Sequence, residues 1–123
     1  MQRRPSSKEL HGKICEALAH LESGSWQALK NPHLVSSLDE LGLADENALI
    51  DLLEKLLEAI RAAGAENCYA GGKPPAKSYD PAIAGLELWA FKIPRPGTSQ
   101  MIYLKFALKK GVYIHISCHE DRP

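Results

Sequence analysis

The sequence predicts an α+β fold, with N-terminal helices packed on a C-terminal antiparallel sheet of three strands or slightly more. Three observations predict it. Apolar residues recur at helical spacing up to Gly64. Three strand-like runs begin at Leu86, and the connections between these runs are short. Short connections require antiparallel pairing. A chain of 123 residues fits one domain that buries roughly two thirds of its unfolded surface.

Two long helices carry clear start and stop signals. Ser6 and Glu9 fit a capping box that opens a helix from about Ser7 to Glu22, ended by Gly24. The longest helix is predicted over Glu46–Ala63, with Asp45 as its N-cap and Gly64 as its C-cap. Its apolar face is broad and its other face is acidic.

Shorter segments lie between and after these helices. Within the helical part, Trp26 and Leu29 mark a short second segment, and Pro32 begins another short helix that closes at Gly42. The proline- and glycine-rich stretch from Gly71 to Pro81 predicts a long loop, of the kind that often carries function. The predicted organisation of the single domain is thus a flexible start over 1–6, helices over 7–64, a loop over 65–84 and a sheet over 85–119.

The three predicted strands are Leu86–Ile93, Met101–Leu108 and Val112–His119, with a hairpin turn at 109–111. Strand side chains alternate between the two faces of a sheet. Alternation assigns Ile102, Leu104, Phe106, Leu108, Val112, Ile114, Ile116 and Cys118 to the core face. It assigns Tyr103, Lys105, Tyr113, His115, Ser117 and His119 to the opposite, open face. Both faces of the first strand contain apolar residues, which leaves its orientation undecided.

Composition limits the possible environments and partners. Three cysteines, Cys15, Cys68 and Cys118, do not form a disulfide framework and fit a reducing compartment, so we expect a cytoplasmic protein. No signal peptide or membrane-spanning stretch is recognised. The net charge is zero, but residues 39–66 sum to −6 and residues 73–110 to +5. The basic half suggests an anionic partner, although charges also sort simply onto solvated faces.

The residue types on the predicted open face suit RNA cleavage through the ribose 2′-hydroxyl. That reaction needs a base, an acid and cations for the developing phosphate charge. Histidine supplies the first two near pH 7, lysine binds phosphate, and an aromatic ring stacks on an unpaired base. A solvated strand face without function is the alternative. A zinc site at His115, Cys118 and His119 is disfavoured, because alternation turns Cys118 away from both histidines.

Three segments resemble the MqsR family of toxins, which belong to the RelE-like superfamily in type II toxin–antitoxin systems. They are Leu38–Leu43, Lys77–Tyr79 ahead of Leu88 and Trp89, and Ile102–Lys105 followed by a hairpin and Ile114–Asp121. Their order and spacing agree over roughly residues 10–121. The resemblance implies a RelE-like fold, an endoribonuclease that cuts mRNA without a metal or other cofactor, and a cognate antitoxin as partner. DNA contact is expected only through the antitoxin.

The resemblance also assigns site residues. The catalytic positions of the family match Lys77, Tyr103, Lys105 and His119 in this sequence. A glutamine of the family falls at Ala90, which departs from the pattern.

Three further basic residues, His115, Lys92 and Arg95, are expected to bind the substrate. The alternative function is a non-catalytic module that binds a protein partner through its sheet or its acidic helix.

Overall fold

The computed structural model describes residues 5–121, and it confirms the α+β prediction, with helices before strands. The helices are α1 (Ser7–Glu22), α2 (Asn31–Leu41), α3 (Glu46–Ala63) and the single turn α4 (Ala65–Cys68). The strands are β1 (Trp26–Ala28), β2 (Trp89–Pro94), β3 (Met101–Lys109) and β4 (Val112–Glu120). The first four residues of the predicted flexible segment 1–6 lie outside the described range.

Helices α1 and α3 begin at the N-cap residues predicted from the sequence. Ser6 Oγ accepts a hydrogen bond from the Glu9 backbone N–H at 3.0 Å, and Asp45 Oδ1 accepts one from Ala48 at 2.9 Å. Each satisfies a backbone donor that has no partner inside the helix. Gly42 ends α2 with a φ of 67°, a left-handed conformation that favours glycine. The bounds predicted for α1 and α3 are confirmed.

The segment predicted as a continuous loop, 65–84, contains two short helical pieces. One is α4, and the other is a 3₁₀ turn over Pro81–Ile83. Asp80 caps that turn through a hydrogen bond that its Oδ1 accepts from the Ala82 N–H at 3.0 Å. The prediction was wrong at these two places because single helical turns are too short to show an apolar period.

The sheet has four strands in the order β1-β4-β3-β2. The antiparallel meander of β2, β3 and β4 was predicted, and Lys110 and Gly111, both with positive φ, form its two-residue turn between β3 and β4. The additional strand β1 lies parallel to β4, with Trp26 opposite Tyr113, so the prediction of a wholly helical part over 7–64 is wrong at this segment. Its three residues are too few to show alternation in the sequence.

Apolar side chains form two clusters on opposite faces of the sheet. The main core lies between the helices and one face, and it includes Leu53 and Leu56 of α3 with Trp89 and Phe106 of the sheet. A smaller cluster lies on the other face. Its buried members are Ile83, Ala107, Ile114 and Ile116, with Leu29, Leu86, Leu88 and Val112 packed against them. The segment from the 3₁₀ turn to Leu88 therefore covers one end of the open face.

A β-bulge in β4 changes which face its side chains occupy. Lys105 lies opposite Ser117 and Phe106 lies opposite His115, so Ile116 has no partner in β3. The extra residue shifts the alternation by one position.

Alternation was therefore right for β3 and for the residues of β4 after the bulge, but wrong before it. Tyr113 and His115 face the main core, whereas Val112, Ile114 and Ile116 lie on the opposite face.

None of the helices between residues 5 and 121 has the length and apolar character needed to cross a membrane.

Candidate functional site

Three polar side chains form a row across the uncovered half of the open face. Lys92 of β2 lies opposite Tyr103 of β3, and Tyr103 lies opposite His119 of β4. We call these three residues the open row. The next row along the sheet consists of Ala90, Lys105 and Ser117. The meander thus brings together two lysines, one tyrosine and one histidine from three strands.

Tyr103 and His119 form the centre of the open row. Their rings stack with centroids 5.3 Å apart and planes 21° from parallel. His119 Nδ1 lies 3.0 Å from the carbonyl oxygen of Glu120. Because a carbonyl can only accept, this hydrogen bond requires the hydrogen to be on Nδ1. Nε2 of the neutral ring is then the atom that can take up a proton, as a general base requires.

Two charged neighbours, Lys92 and Asp121, shift the pKa of the Tyr103 hydroxyl in opposite directions. Lys92 Nζ forms an ion pair with Asp121 Oδ2 at 3.3 Å. Burial raises the pKa of the Tyr103 hydroxyl, with Lys92 acting against this shift and Asp121 adding to it. The hydroxyl is therefore protonated near neutral pH, and it acts as a hydrogen-bond donor rather than as a base.

A groove of about 280 Å³ adjoins the open row, between α2 and the edge of β4. Its lining residues are His33, Ser36, Ser37, Glu40, Lys105, Ile116, Ser117, Cys118 and His119. Glu40 Oε2 accepts a hydrogen bond from the Glu120 backbone N–H at 2.9 Å, which links the helix to the strand. Sequence reasoning missed the α2 residues, because only the packing of α2 on β4 brings them to His119.

His115 was predicted on the open face, and this prediction is wrong. The residue has 0 % exposure and lies on the core side of the bulge, with its Nε2 3.1 Å from Ser37 Oγ of α2. Burial, with a smaller contribution from His33, lowers its pKa from 6.5 to about 4. Its Nδ1 has no hydrogen-bond partner within residues 5–121. A neutral, enclosed imidazole cannot contact a substrate, so His115 is a structural residue here.

Arg95 also lies away from the open row. Its Nη1 donates to the carbonyl oxygen of Leu41, the last residue of α2, and to Gln100 Oε1, each at 3.2 Å. A cation is favourable at a helix C-terminus, where backbone carbonyls lack partners. These contacts connect the β2–β3 turn with the end of α2. Arg95 thus stabilises the fold on the core side.

Lys77 is exposed and lies opposite Glu87 in an antiparallel bridge at the outer edge of β2. Paired residues in antiparallel strands point to the same face. Glu87 alternates with Trp89 and Phe91, both in the main core, whereas Lys92 has the other parity. The pairing therefore directs Lys77 to the other side of the strand from the open row.

Cys118 does not take part in the open row. Cys118 is fully buried, and burial raises the pKa of its thiol to about 12. The inward orientation expected for Cys118 is confirmed. Across the part of the chain that the structure describes, no three His, Cys, Asp or Glu side chains are arranged to hold a metal ion.

Comparison with known proteins gives no match: no protein-family model, curated protein or solved structure is significantly similar to this chain.

Proposed function

We propose that this chain is an endoribonuclease toxin of the type II toxin–antitoxin kind, which cuts mRNA by attack of a 2′-hydroxyl on the adjacent phosphate. The observation that carries the proposal is the stacked pair of Tyr103 and His119 on an uncovered sheet face, with Lys92 and Lys105 beside it. The resemblance to MqsR toxins described above supports the same activity and the classification of the protein as a toxin.

This mechanism assigns roles to four residues, His119, Lys105, Lys92 and Tyr103. His119 moves the proton, because its Nδ1 donates to the Glu120 carbonyl, which leaves Nε2 as the ring nitrogen that can accept a proton. Lys105 and Lys92 hold the phosphate and offset the charge that develops on it. The protonated Tyr103 hydroxyl donates to the RNA, and its ring orients the imidazole. The mechanism needs no metal.

The proposed biological setting follows from the resemblance. The protein acts in the cytoplasm on mRNA, and a cognate antitoxin neutralises it. Any contact with DNA is made through the antitoxin.

Cleavage of single-stranded RNA in excess EDTA tests the activity. We expect cleavage by the wild type, with fragments that end in a 2′,3′-cyclic phosphate, and no cleavage of a strand with 2′-deoxy sugars. His119→Ala should lower the rate about 10²- to 10⁴-fold, the usual contribution of general acid–base catalysis. Failure of the well-folded wild type to cut any RNA would contradict the proposal.

Two matched variants assign roles to the basic residues. Lys105→Ala should lower the rate strongly, because Lys105 lies in the row beside His119. Lys77→Ala tests the catalytic role that the resemblance implies for Lys77. Full activity of Lys77→Ala would show that Lys77 has no catalytic role, and full activity of both His119→Ala and Lys105→Ala would show that the mechanism assigns its roles to the wrong residues.

A non-catalytic interaction module is the second candidate, and one observation favours it. Val35 on α2 is 59 % exposed and lines a shallow groove of about 720 Å³ with Pro32 and Asp39. Exposed apolar side chains in a groove are typical of protein contacts. Growth after induction in a bacterial host separates the two. Arrest that the neighbouring gene product relieves supports the toxin, and unaffected growth supports the module.

A further inference from the structure

Tyr79 is an exposed aromatic residue that the proposed mechanism does not use. Among the large apolar side chains of residues 5–121 it is the most exposed, with 98 % of its surface open to solvent. A tyrosine ring normally buries most of its area on folding or at an interface. Its neighbour Ser78 is buried, so the chain is anchored beside a ring that contacts almost nothing.

The backbone around Tyr79 is held in place by hydrogen bonds on both sides. The Ser78 N–H donates to the Leu86 carbonyl at 2.9 Å, and the Ser78 carbonyl accepts from Gly85 at 3.0 Å. Asp80 caps the 3₁₀ turn, and its own N–H donates to Ser78 Oγ at 3.1 Å. The exposed ring is therefore presented by an ordered loop, which lowers the entropic cost of using it in binding.

The contacts of this loop locate Tyr79 at the covered end of the open face. Asp80 Oδ2 pairs with Lys30 Nζ at 3.2 Å, and Lys109 Nζ donates to the Ala82 carbonyl at 3.1 Å. Ile83 belongs to the apolar cluster on the open face. Six residues of β3 separate Lys109 from Tyr103, which corresponds to about 20 Å along the strand.

The charges around Tyr79 favour an anionic ligand. The ionisable side chains around this loop include Lys30, His33, Lys109, Lys110 and Asp80, with Lys77 and Glu87 on the other side of the strand. Asp80 is already paired with Lys30, and Glu87 lies opposite Lys77. Lysine outnumbers carboxylate, which complements phosphate better than an acidic peptide.

We propose that Tyr79 is a stacking platform for an unpaired base of the RNA strand and that Lys77 contacts a phosphate next to that base. Because Lys77 points to the other side of the sheet from the open row, the strand would pass from the open row around the outer edge of β2 to this loop. This path is within the footprint of roughly 4–16 nucleotides that single-strand-binding sheet domains engage. This inference rests on the proposed function for its ligand class. In this proposal Lys77 binds a phosphate beside the stacked base and does not contact the phosphate that is cleaved.

Binding of a strand that cannot be cleaved tests the platform. The probe is a fluorescein-labelled, fully 2′-O-methyl single strand of about 12 nucleotides, and the readout is fluorescence anisotropy with the full chain. Tyr79→Ala should weaken binding roughly 5- to 150-fold, the range that loss of one stacking aromatic gives. Tyr79→Trp should retain wild-type affinity or exceed it, because tryptophan offers a larger stacking ring.

Two controls separate stacking from other effects. Tyr79→Leu keeps an apolar side chain but has no aromatic face, so it should bind as weakly as Tyr79→Ala. Val35→Ala removes an exposed apolar side chain from α2 and should leave affinity unchanged. Lys77→Gln should lower the slope of log affinity against log salt by about 0.7, the value for one phosphate contact on a single strand. All of these side chains are exposed, so the variants should melt as the wild type does.

Each outcome distinguishes this inference from the proposed function. Wild type that binds the probe through Tyr79 but cuts no RNA would support the platform and overturn the nuclease. Wild type that cuts RNA while Tyr79→Ala binds the probe normally would overturn the platform alone, and would point to a protein as the partner of the ring. Equal affinity of Tyr79→Leu and wild type would also overturn it, because stacking requires the aromatic face.

Discussion

The hairpin of β3 and β4 has two halves that differ in what lies on the open face. In the half with Tyr103 and Lys105, that face is polar and uncovered. In the half with Ala107, it is apolar and covered by Ile83 and the segment that follows it. Strand β3 keeps one alternation through both halves, whereas β4 changes its alternation at Ile116. One unpaired residue therefore separates the candidate site from a small second core.

The comparison is clearest for two histidines that are four residues apart. His119 follows the bulge and stacks on Tyr103 at the open row. His115 precedes the bulge and is enclosed beside Ser37, with its pKa lowered to about 4. The same residue type is suited to proton transfer in one half and to packing in the other. Local backbone register, rather than residue identity, decides the role.

Deletion of Ile116 is the change that tests the bulge itself, and it should have the largest effect on stability. Without Ile116, Ser117 and His115 still lie opposite Lys105 and Phe106, so the remaining side chains keep their faces in a regular ladder. The cost should be loss of a buried isoleucine, about 2–5 kcal/mol. Urea unfolding should give a similar loss for Ile116→Ala, which keeps the bulge. If the deletion unfolds the protein while Ile116→Ala folds, the bulge itself is required.

Acid should weaken the folded state through His115. The unfolded chain takes up a proton near pH 6.5, whereas the folded chain resists it until about pH 4, so the free energy of unfolding rises with pH across this window. About 3 kcal/mol should be lost as the pH falls from above 6.5 to below 4. Urea unfolding of wild type and His115→Gln at several pH values measures it. The loss assigned to His115 should be absent in His115→Gln, and parallel pH profiles would contradict the assignment.

Matched alanine variants of the two histidines should separate stability from activity. His115→Ala should cost about 1–3 kcal/mol of stability, because it leaves a cavity beside a buried hydroxyl, and it should leave the cleavage rate per folded molecule intact. His119→Ala should cost under about 1 kcal/mol, the scale of one aromatic contact, and should abolish most activity. Thermal melting and the EDTA cleavage assay together report both. Equal losses of activity in the two variants would contradict the assignment of a structural role to His115 and a catalytic role to His119.

The ion pair of the open row should give the smallest effect. Asp121→Asn frees Lys92 from an exposed pair and should change stability by under about 1 kcal/mol. It should tighten binding of the 2′-O-methyl strand a few-fold at low salt, because one negative charge leaves the phosphate-binding face. The difference should vanish at about 1 M salt. Tighter binding that persists at high salt would indicate a contact other than charge.

Much of the fold could be predicted because its signals are local. The caps at Ser6 and Asp45 and the apolar faces of α1 and α3 act within a few residues, and the lysine–glycine turn determines the β3–β4 hairpin. The open row was half predictable for the same reason, because β3 and the end of β4 alternate regularly.

The remaining features depend on distant contacts that local patterns do not encode. Ile116 reads as an ordinary member of an alternating strand, and only pairing with β3 makes it a bulge. The groove residues His33 and Ser36 reach His119 through helix packing, and Arg95 finds its carbonyl partner at Leu41, more than fifty residues away.

The parallel pairing of β1 with β4 has a consequence for how the sheet forms. Trp26 lies opposite Tyr113, so this edge closes a chain segment of about ninety residues, whereas Trp89 at the other edge pairs with nearby Phe106. Long closures cost more entropy and slow the formation of the contacts that depend on them. The chain has two tryptophans. Trp89 lies on the edge that forms from local contacts, and Trp26 lies on the edge whose formation depends on distant contacts. The fluorescence of Trp26 and of Trp89 during folding would therefore report separately when each edge of the sheet forms.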